Sequence, residues 1–319
     1  MRYVPYPSLG DEPHVIVDGS GTPSTVLTLS HWPGSRVPAA LAADLSAEIV
    51  VRYLEQPELH VAADAVSNNH FDQDGLMGVW ALVEPEQALA HRDLVVDVAR
   101  AGDFTWSRTR DAARVSFTVG ALLDARTTNG DPYEEFLPLV PAMLDDIGSF
   151  RDAWADEDDF LDSTNAAIDR GDITIEEHHD VDLAVVRLPS LPMRSYHRFT
   201  PPRAARLHPM AVFNRTPMTR VAYLCERSYH VELRYESVVQ FVSRPIMPRP
   251  DLALFANRLN ELEPDGGWYF EGVGGLAPML RQRDADESAL APDEFLGELL
   301  AFLPNAAPAW DPWTEAGFR

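Results

Sequence analysis

The chain has 319 residues, a formal charge of −24 and 45% hydrophobic content, enough apolar material to bury a large core, read as two domains. Its single cysteine, Cys225, excludes a disulfide framework and a cysteine-rich zinc site. The acidic balance argues against long nucleic acid as a partner, no apolar run approaches the ~20 residues of a membrane span, and no charged-then-apolar leader opens the sequence, so a cytoplasmic location is expected.

In chain order, His14-Val15-Ile16-Val17 reads as a short strand ending in Asp18-Gly19, and Thr25 to Ser30 as a second ending at His31-Trp32-Pro33-Gly34. Apolar residues recur at helical spacing from Pro38 to Leu54. A third apolar run, Val61 to Val66, leads into Asn68-Asn69-His70-Phe71-Asp72-Gln73-Asp74-Gly75, and Leu76 to Val83 follows as a buried helix. Strand, polar loop and helix is the usual setting of a site at the carboxyl edge of a parallel sheet. Period-two alternation in an extended segment would put His70, Asp72 and Asp74 on one side. An imidazole with two carboxylates suits a hard or borderline cation such as Mn²⁺ or Mg²⁺, although Asp-x-Asp-Gly is also an ordinary solvated turn. Three successive strand ends thus carry Asp18, His31 and the His70/Asp72/Asp74 set, which strengthens the metal reading.

Pro85 to Ala101 is expected to be helical, and Asp103 is read most simply as the N-cap of a helix over 105–126. A further helical region spans 133–169, and its acidic stretch over 152–162 reads as a solvated face or an inter-domain connector. From Gly171 the texture changes to short strands, at Ile173–Ile175, Leu183–Arg187, Val221–Leu224 and Tyr229–Phe241, with frequent prolines and a helix from Asp251 to Glu263. The fold expected is therefore α/β, a mostly parallel sheet with flanking helices over residues 1–150. An acidic helical connector follows over 151–170, and a smaller α+β domain over 171–319. The tail with Trp310 and Trp313 reads as a packed extension.

Seven arginines and no acidic residue lie between Arg187 and Arg220, Arg215 among them. Their planar forks suit a phosphate-bearing substrate; pairing with the acidic helices is the equally weighted alternative. His178-His179-Asp180-x-Asp182 resembles a ligand cluster, but adjacent histidines in a strand point to opposite faces.

These residues resemble the DHH phosphoesterase superfamily of metal-dependent enzymes. Its strand–His-x-Asp-x-Asp-Gly–helix motif is matched position for position by His70-Phe71-Asp72-Gln73-Asp74-Gly75. An Asp closing a strand is similar to Asp18, and a helix ending in Asp is similar to the stretch from Asp93 to Asp103. The Asp-His-His motif is met in part by Ser30-His31-Trp32. Ser243-Arg244, Gly266-Gly267 and Gly272-Val273-Gly274-Gly275 are similar to the associated substrate-binding domain, with Leu276 where that motif continues in His. The motif order differs from the family's, which either circular permutation or chance matching explains.

The resemblance implies two Mn²⁺ or Mg²⁺ ions held by Asp18, His31, His70, Asp72, Asp74 and Asp103, with Asp18 bridging. Asp72, Asp74 and His31 would be catalytic, and water activated by the two metals would attack phosphorus. Ser243, Arg244, Gly274, Gly275 and Arg215 would bind a small phosphorylated or (di)nucleotide substrate. A homodimer is compatible with this reading. The alternatives are a catalytically inactive relative binding a nucleotide or a protein, for which Ser30 and Trp32 argue, and an aspartyl-phosphate phosphatase, which the polar Ser67-Asn68-Asn69 lead-in disfavours.

Overall fold

Short apolar runs bounded by polar turns build the first sheet. β1 (Arg2–Tyr3), β2 (His14–Val17), β3 (Thr25–Leu29) and β4 (Ala65–Ser67) pair in the order β1-β4-β2-β3, every pair parallel. β2 and β4 are buried at every residue, as parallel strands covered on both faces must be. The computed structural model describes residues 1–127, 129–198, 201–283 and 287–314. Around the sheet lie α1 (Ser46–Leu54), α2 (Gln73–Val83), α3 (Pro85–Ala90), α4 (Arg92–Asp103) and α5 (Arg110–Asp124), then α6 (Pro132–Phe136), α7 (Val140–Asp145) and α8 (Arg151–Asp169). Val15, Val17, Leu29, Ile49, Leu76, Trp80 and Val98 share one core. Among the described residues no helix is long and apolar enough to cross a membrane.

Helix boundaries depart from the sequence expectation for identifiable reasons. α1 starts at Ser46 and not at Pro38, because its first amides are held by Asp74 from another helix. α5 starts at Arg110 because Thr105 adopts φ +55° and Thr109 caps the helix, its side chain accepting from Ala112 N. Asp103 is therefore no N-cap; it is the last residue of α4. The 133–169 region is broken where Pro138 and Pro141 start new helical segments. The acidic run is not merely solvated, since Glu157 and Asp158 are buried and Asp158 accepts from Arg110 and Arg114 of α5 at 2.6 and 3.2 Å.

The second sheet has six strands. β5 (Thr174–His178), β6 (Leu183–Leu188), β9 (Arg220–Cys225), β10 (Ser228–Leu233), β12 (Trp268–Phe270) and β13 (Met279–Gln282) run in the order β12-β13-β10-β9-β6-β5. Only the β6–β9 pair is parallel. Alternation divides its side chains between two clusters. Leu183, Val185, Ala222 and Leu224 pack with α10 (Leu252–Leu262) and α11 (Pro292–Phe302), while Val186, Val221 and Tyr223 face Leu207 and α9 (Pro209–Phe213). Two ribbons complete the structure, β7 (Arg194–Tyr196) with β8 (Arg203–Ala205), and β11 (Arg249–Pro250) with the tail strand β14 (Pro308–Trp310). The strand expected over 229–241 ends at Leu233; Tyr235, Val238, Val239 and Phe241 leave the sheet and pack into the first core.

Candidate metal centre

Because β2, β3 and β4 are parallel neighbours, their carboxyl ends lie on one edge and deliver Asp18, His31 and the loop that carries His70. Asp18 turns out of β2 at φ +52°. The glycine after it makes room for two side-chain amides, since a Cβ on Gly19 would sit 2.3 Å from Asn69 Oδ1 and 2.5 Å from Asn68 Oδ1 and would displace them. His70, Asp72 and Asp74 converge, but not by strand alternation, because β4 ends at Ser67. Asp72 is the N-cap of α2, its Oδ1 accepting from Gly75 N at 2.8 Å, and Asp74 lies in the first turn of that helix. Asp103 arrives from the end of α4, so all six predicted ligands belong to one cluster.

The distances are short. His70 Nε2 lies 2.9 Å from Asp72 Oδ2 and 3.2 Å from Asp18 Oδ2. His31 Nε2 lies 3.5 Å from Asp18 Oδ1, 3.8 Å from Asp74 Oδ2 and 3.4 Å from Asp103 Oδ2. Two groups of potential ligand atoms follow, Asp18–His70–Asp72 and Asp18–His31–Asp74, each within 4.8 Å and both containing Asp18.

His31 supplies the sharpest test of what fits here. Its Nδ1 contacts Asp44 O at 2.6 Å and so donates there, which in the neutral ring leaves Nε2 with the lone pair a cation would need. That lone pair faces three carboxylates. Among the described residues Nε2 and Asp103 Oδ2 are buried without a hydrogen-bond partner, and Asp18 Oδ2 is met only by His70 Nε2 at 3.2 Å. Such a concentration of acceptors is costly unless a cation or protons lie between them. The donor set, imidazole nitrogen and carboxylate oxygen without thiolate, fits a divalent cation of the Mg²⁺–Mn²⁺ type.

Other bonds fix the carboxylates. Asp18 Oδ1 accepts from Trp32 Nε1 at 2.8 Å and Ser46 Oγ at 2.6 Å; Asp74 accepts from the Ser46 and Ala47 amides, each at 2.7 Å. Asp74 thereby caps α1 from outside, at the positive end of that helix. Burial pushes Asp18 up to about 6, and the Asp72 and Asp74 charges push the same way. Burial likewise raises Asp74 to about 7 against its amide bonds, and raises Asp103 well above the carboxylate range with help from Asp74, Asp72 and Asp18. Asp72 goes down instead, because burial is outweighed by the adjacent His70 charge and its hydrogen bonds. Burial opposes the charge on His70, yet Asp72 and Asp18 hold its proton up to about 11. Protons or a cation are the two ways to offset this crowding of charge.

The predicted substrate residues are placed otherwise. Ser243 N, with Val242 N, donates to Asp44 Oδ1 at 2.8 and 2.7 Å, so Ser243 clips the chain beside His31. Arg244 donates to Pro217 O at 2.5 Å and stacks on Phe241. Arg215 is spent on Asn165, Ala211 O and Asp169 of the α8 face, away from the cluster. The loop with Gly274 and Gly275 is tied down by the buried Arg249, which donates to Val273 O, Gly275 O and Leu276 O. Most arginines of the 187–220 stretch likewise serve the fold: Arg187 pairs with Asp293, Arg198 with Glu232, and Arg206 and Arg220 bond backbone carbonyls. His178 and His179 pair with Glu176 and Glu177, and Asp182 accepts from Thr219 N.

A family model described as "Family of unknown function (DUF6687)" matches residues 1–314. The chain belongs to this family. No curated protein and no solved structure matches it.

Sequence reasoning missed Asp44 and Tyr235. Asp44 orients His31, and Tyr235 packs against His31, Trp32 and Phe104 with ring centroids about 6 Å away. Neither carries a sequence signal, since one acts through its backbone oxygen and the other comes from a segment read as strand. Two cavities flank the cluster. One of about 710 Å³ is bordered by Asp18, Gly19, Trp32, Arg36 and His70, and one of about 210 Å³ by His70, Asp72, Asp103, Leu276 and His197.

Proposed function

We propose that this chain is a metal-dependent phosphoesterase acting on a small phosphorylated or (di)nucleotide substrate, with Asp18, His31, His70, Asp72, Asp74 and Asp103 holding two Mn²⁺ or Mg²⁺ ions. The observation that carries the reading is the pair of ligand groups sharing Asp18, with the buried, partnerless Nε2 of His31 directed at three carboxylates. The resemblance of the His70–Gly75 motif to the DHH superfamily supports it, as does the fall of Asp18 and His31 at the ends of neighbouring parallel strands. When bound, the ions would supply a nucleophile at neutral pH and Lewis-acid stabilisation of the phosphoryl oxygens.

The chain's own groups have definable parts. Asp18 belongs to both ligand groups and would be the ligand they share. Asp44 O holds the tautomer of His31. Trp32 Nε1 and Ser46 Oγ orient Asp18, while Phe104 and Tyr235 exclude water behind His31. Within this reading, residues 171–319 supply a substrate-binding domain that the 235–243 segment locks against the cluster.

Elemental analysis of protein purified with Mn²⁺ should give about two ions per chain, with hydrolysis of a phosphodiester panel that Asp72→Ala abolishes. Protein that takes up no divalent cation, with Asp72→Ala indistinguishable from wild type, overturns the proposal. A second reading, metal-free nucleotide binding, draws on the larger cavity beside Trp32 and Arg36. Calorimetry with AMP in the presence of chelator separates the two, since binding there favours the module over the enzyme.

A further inference from the structure

The smaller cavity carries a histidine that no motif announced. His197 follows β7 and lines the cavity of about 210 Å³ together with His70, Asp72, Gln73, Asp103 and Asp124. Its Nδ1 lies 2.5 Å from Glu157 Oε2, and its backbone N donates to Glu157 Oε1 at 3.0 Å. Glu157 is 6% exposed and also bonded by His208 Nε2 at 3.3 Å, so the carboxylate is fixed from two sides. The other ring nitrogen of His197 makes no hydrogen bond among the described residues, and the side chain is 22% exposed. Helix α5 is built to admit the ring: a Cβ on Gly120 would stand 2.5 Å from His197 Cβ and 2.9 Å from Cγ.

Carboxylate, imidazole and cavity in series is the arrangement that fixes a ring's tautomer and aims its second nitrogen. Apart from His70, which the acidic cluster itself engages, His197 is the only side chain able to carry positive charge on the described lining. We propose that His197, its Nδ1–H held by the buried Glu157, donates as the imidazolium a hydrogen bond from Nε2 to a phosphoryl oxygen of a substrate seated in this cavity. The inference rests on the phosphoesterase reading and assigns it a substrate-facing residue from the other half of the chain. His197 would be the contacting residue and Glu157 the positioning one. The hydrogen bond to Glu157 raises the imidazole above its ordinary range, and Asp124 on α5 acts in the same direction. The titratable groups around the ring are thus Glu157, which His208 also bonds, Asp124 on α5, and His70, Asp72 and Asp103 on the same cavity lining.

The test is calorimetric titration of full-length, Mg²⁺-loaded protein with inorganic phosphate, for wild type, His197→Gln and Glu157→Gln, with Mg²⁺ uptake measured on each. Losing a charge-assisted hydrogen bond should weaken phosphate by about tenfold or more in His197→Gln, with Mg²⁺ uptake unchanged. In Glu157→Gln, phosphate affinity should fall off at lower pH than in wild type, which a purely structural role for Glu157 would not produce. Folding of both variants is checked by circular dichroism. Phosphate affinity equal in wild type and His197→Gln, or no phosphate binding by Mg²⁺-loaded wild type, overturns this inference while intact Mg²⁺ uptake leaves the phosphoesterase reading standing. Absence of Mg²⁺ uptake by wild type brings down both.

Discussion

Stripping divalent cations should make the fold sensitive to mild alkali, and the size of the effect follows from the buried carboxyls. Asp18 and Asp74 are both fully buried and titrate at about 6 and about 7 in the metal-free fold, against roughly 3.9 in an unfolded chain. A carboxyl whose folded value lies above its unfolded value binds more protons folded than unfolded between the two. Stability contributed by that proton is present at low pH and is lost as pH rises through the window. At about 1.4 kcal/mol per pH unit, going from pH 5 to pH 8 removes roughly 3 kcal/mol through Asp74 and roughly 1 kcal/mol through Asp18. The two share part of their repulsion, so about 4 kcal/mol is the upper figure for the pair. Asp72 has the opposite sign, but its lowered value puts its window below pH 5, while His70 and Asp103, both raised, add to the loss in the same direction. Cation binding displaces the protons, and a ligand at a hundred times its dissociation constant adds about 2.7 kcal/mol. Urea unfolding followed by circular dichroism at pH 5, 6, 7 and 8, in chelator and in Mn²⁺, should give two stability curves that diverge as pH rises. Parallel curves, or chelated protein that gains stability toward pH 8, would refute the argument that these carboxyls are strained without a cation.

Asp74→Ala should abolish cation uptake and also cost about 1–3 kcal/mol in urea unfolding, because two buried amides of α1 lose their acceptor; Asp72→Ala should cost only about the 1 kcal/mol of an N-cap. Trp32→Phe removes the donor to Asp18 Oδ1 and should weaken cation affinity severalfold by calorimetry, with about 1 kcal/mol lost in stability. Arg249→Met leaves the carbonyls of Val273, Gly275 and Leu276 without this donor, and thermal unfolding should show a loss on the order of 3–5 kcal/mol. Arg215→Ala should change stability by less than about 1 kcal/mol and leave hydrolysis at wild-type rate, since its ion pair with Asp169 is at the surface.

What could be read from the sequence was the sheet edge. An apolar run closed by Asp18-Gly19 and another closed by His31 announce their strands because burial demands continuous apolar residues, and the polar residue after each run must sit at the strand end. The His70–Gly75 motif announced its loop and the following helix for the same reason. Asp74 was legible as a cluster residue but not as the cap of α1, since capping across 27 residues leaves no local pattern. The arginine-rich stretch left two readings open because a guanidinium satisfies carbonyls and buried carboxylates as readily as phosphate, as Arg220 and Arg198 do. His197, in the same stretch, faces the cavity only because Gly120 clears space for it and Glu157 turns it. Both lie far from it in sequence.

Asp44 serves two masters. Its backbone oxygen sets the proton of His31, and its carboxylate clips the amides of Val242 and Ser243, while Gln240 N reaches His31 O at 2.8 Å. A candidate ligand of the first sheet is therefore held in register by chain that has passed through the second. Local opening at 240–243 would free the imidazole to rotate and would dissolve the ligand geometry before either sheet unfolds. Amide hydrogen exchange at Gln240, Val242 and Ser243 is then a direct reporter of site integrity, and slowing of exchange there on cation addition measures, through mutual linkage, how tightly the two halves are thermodynamically coupled.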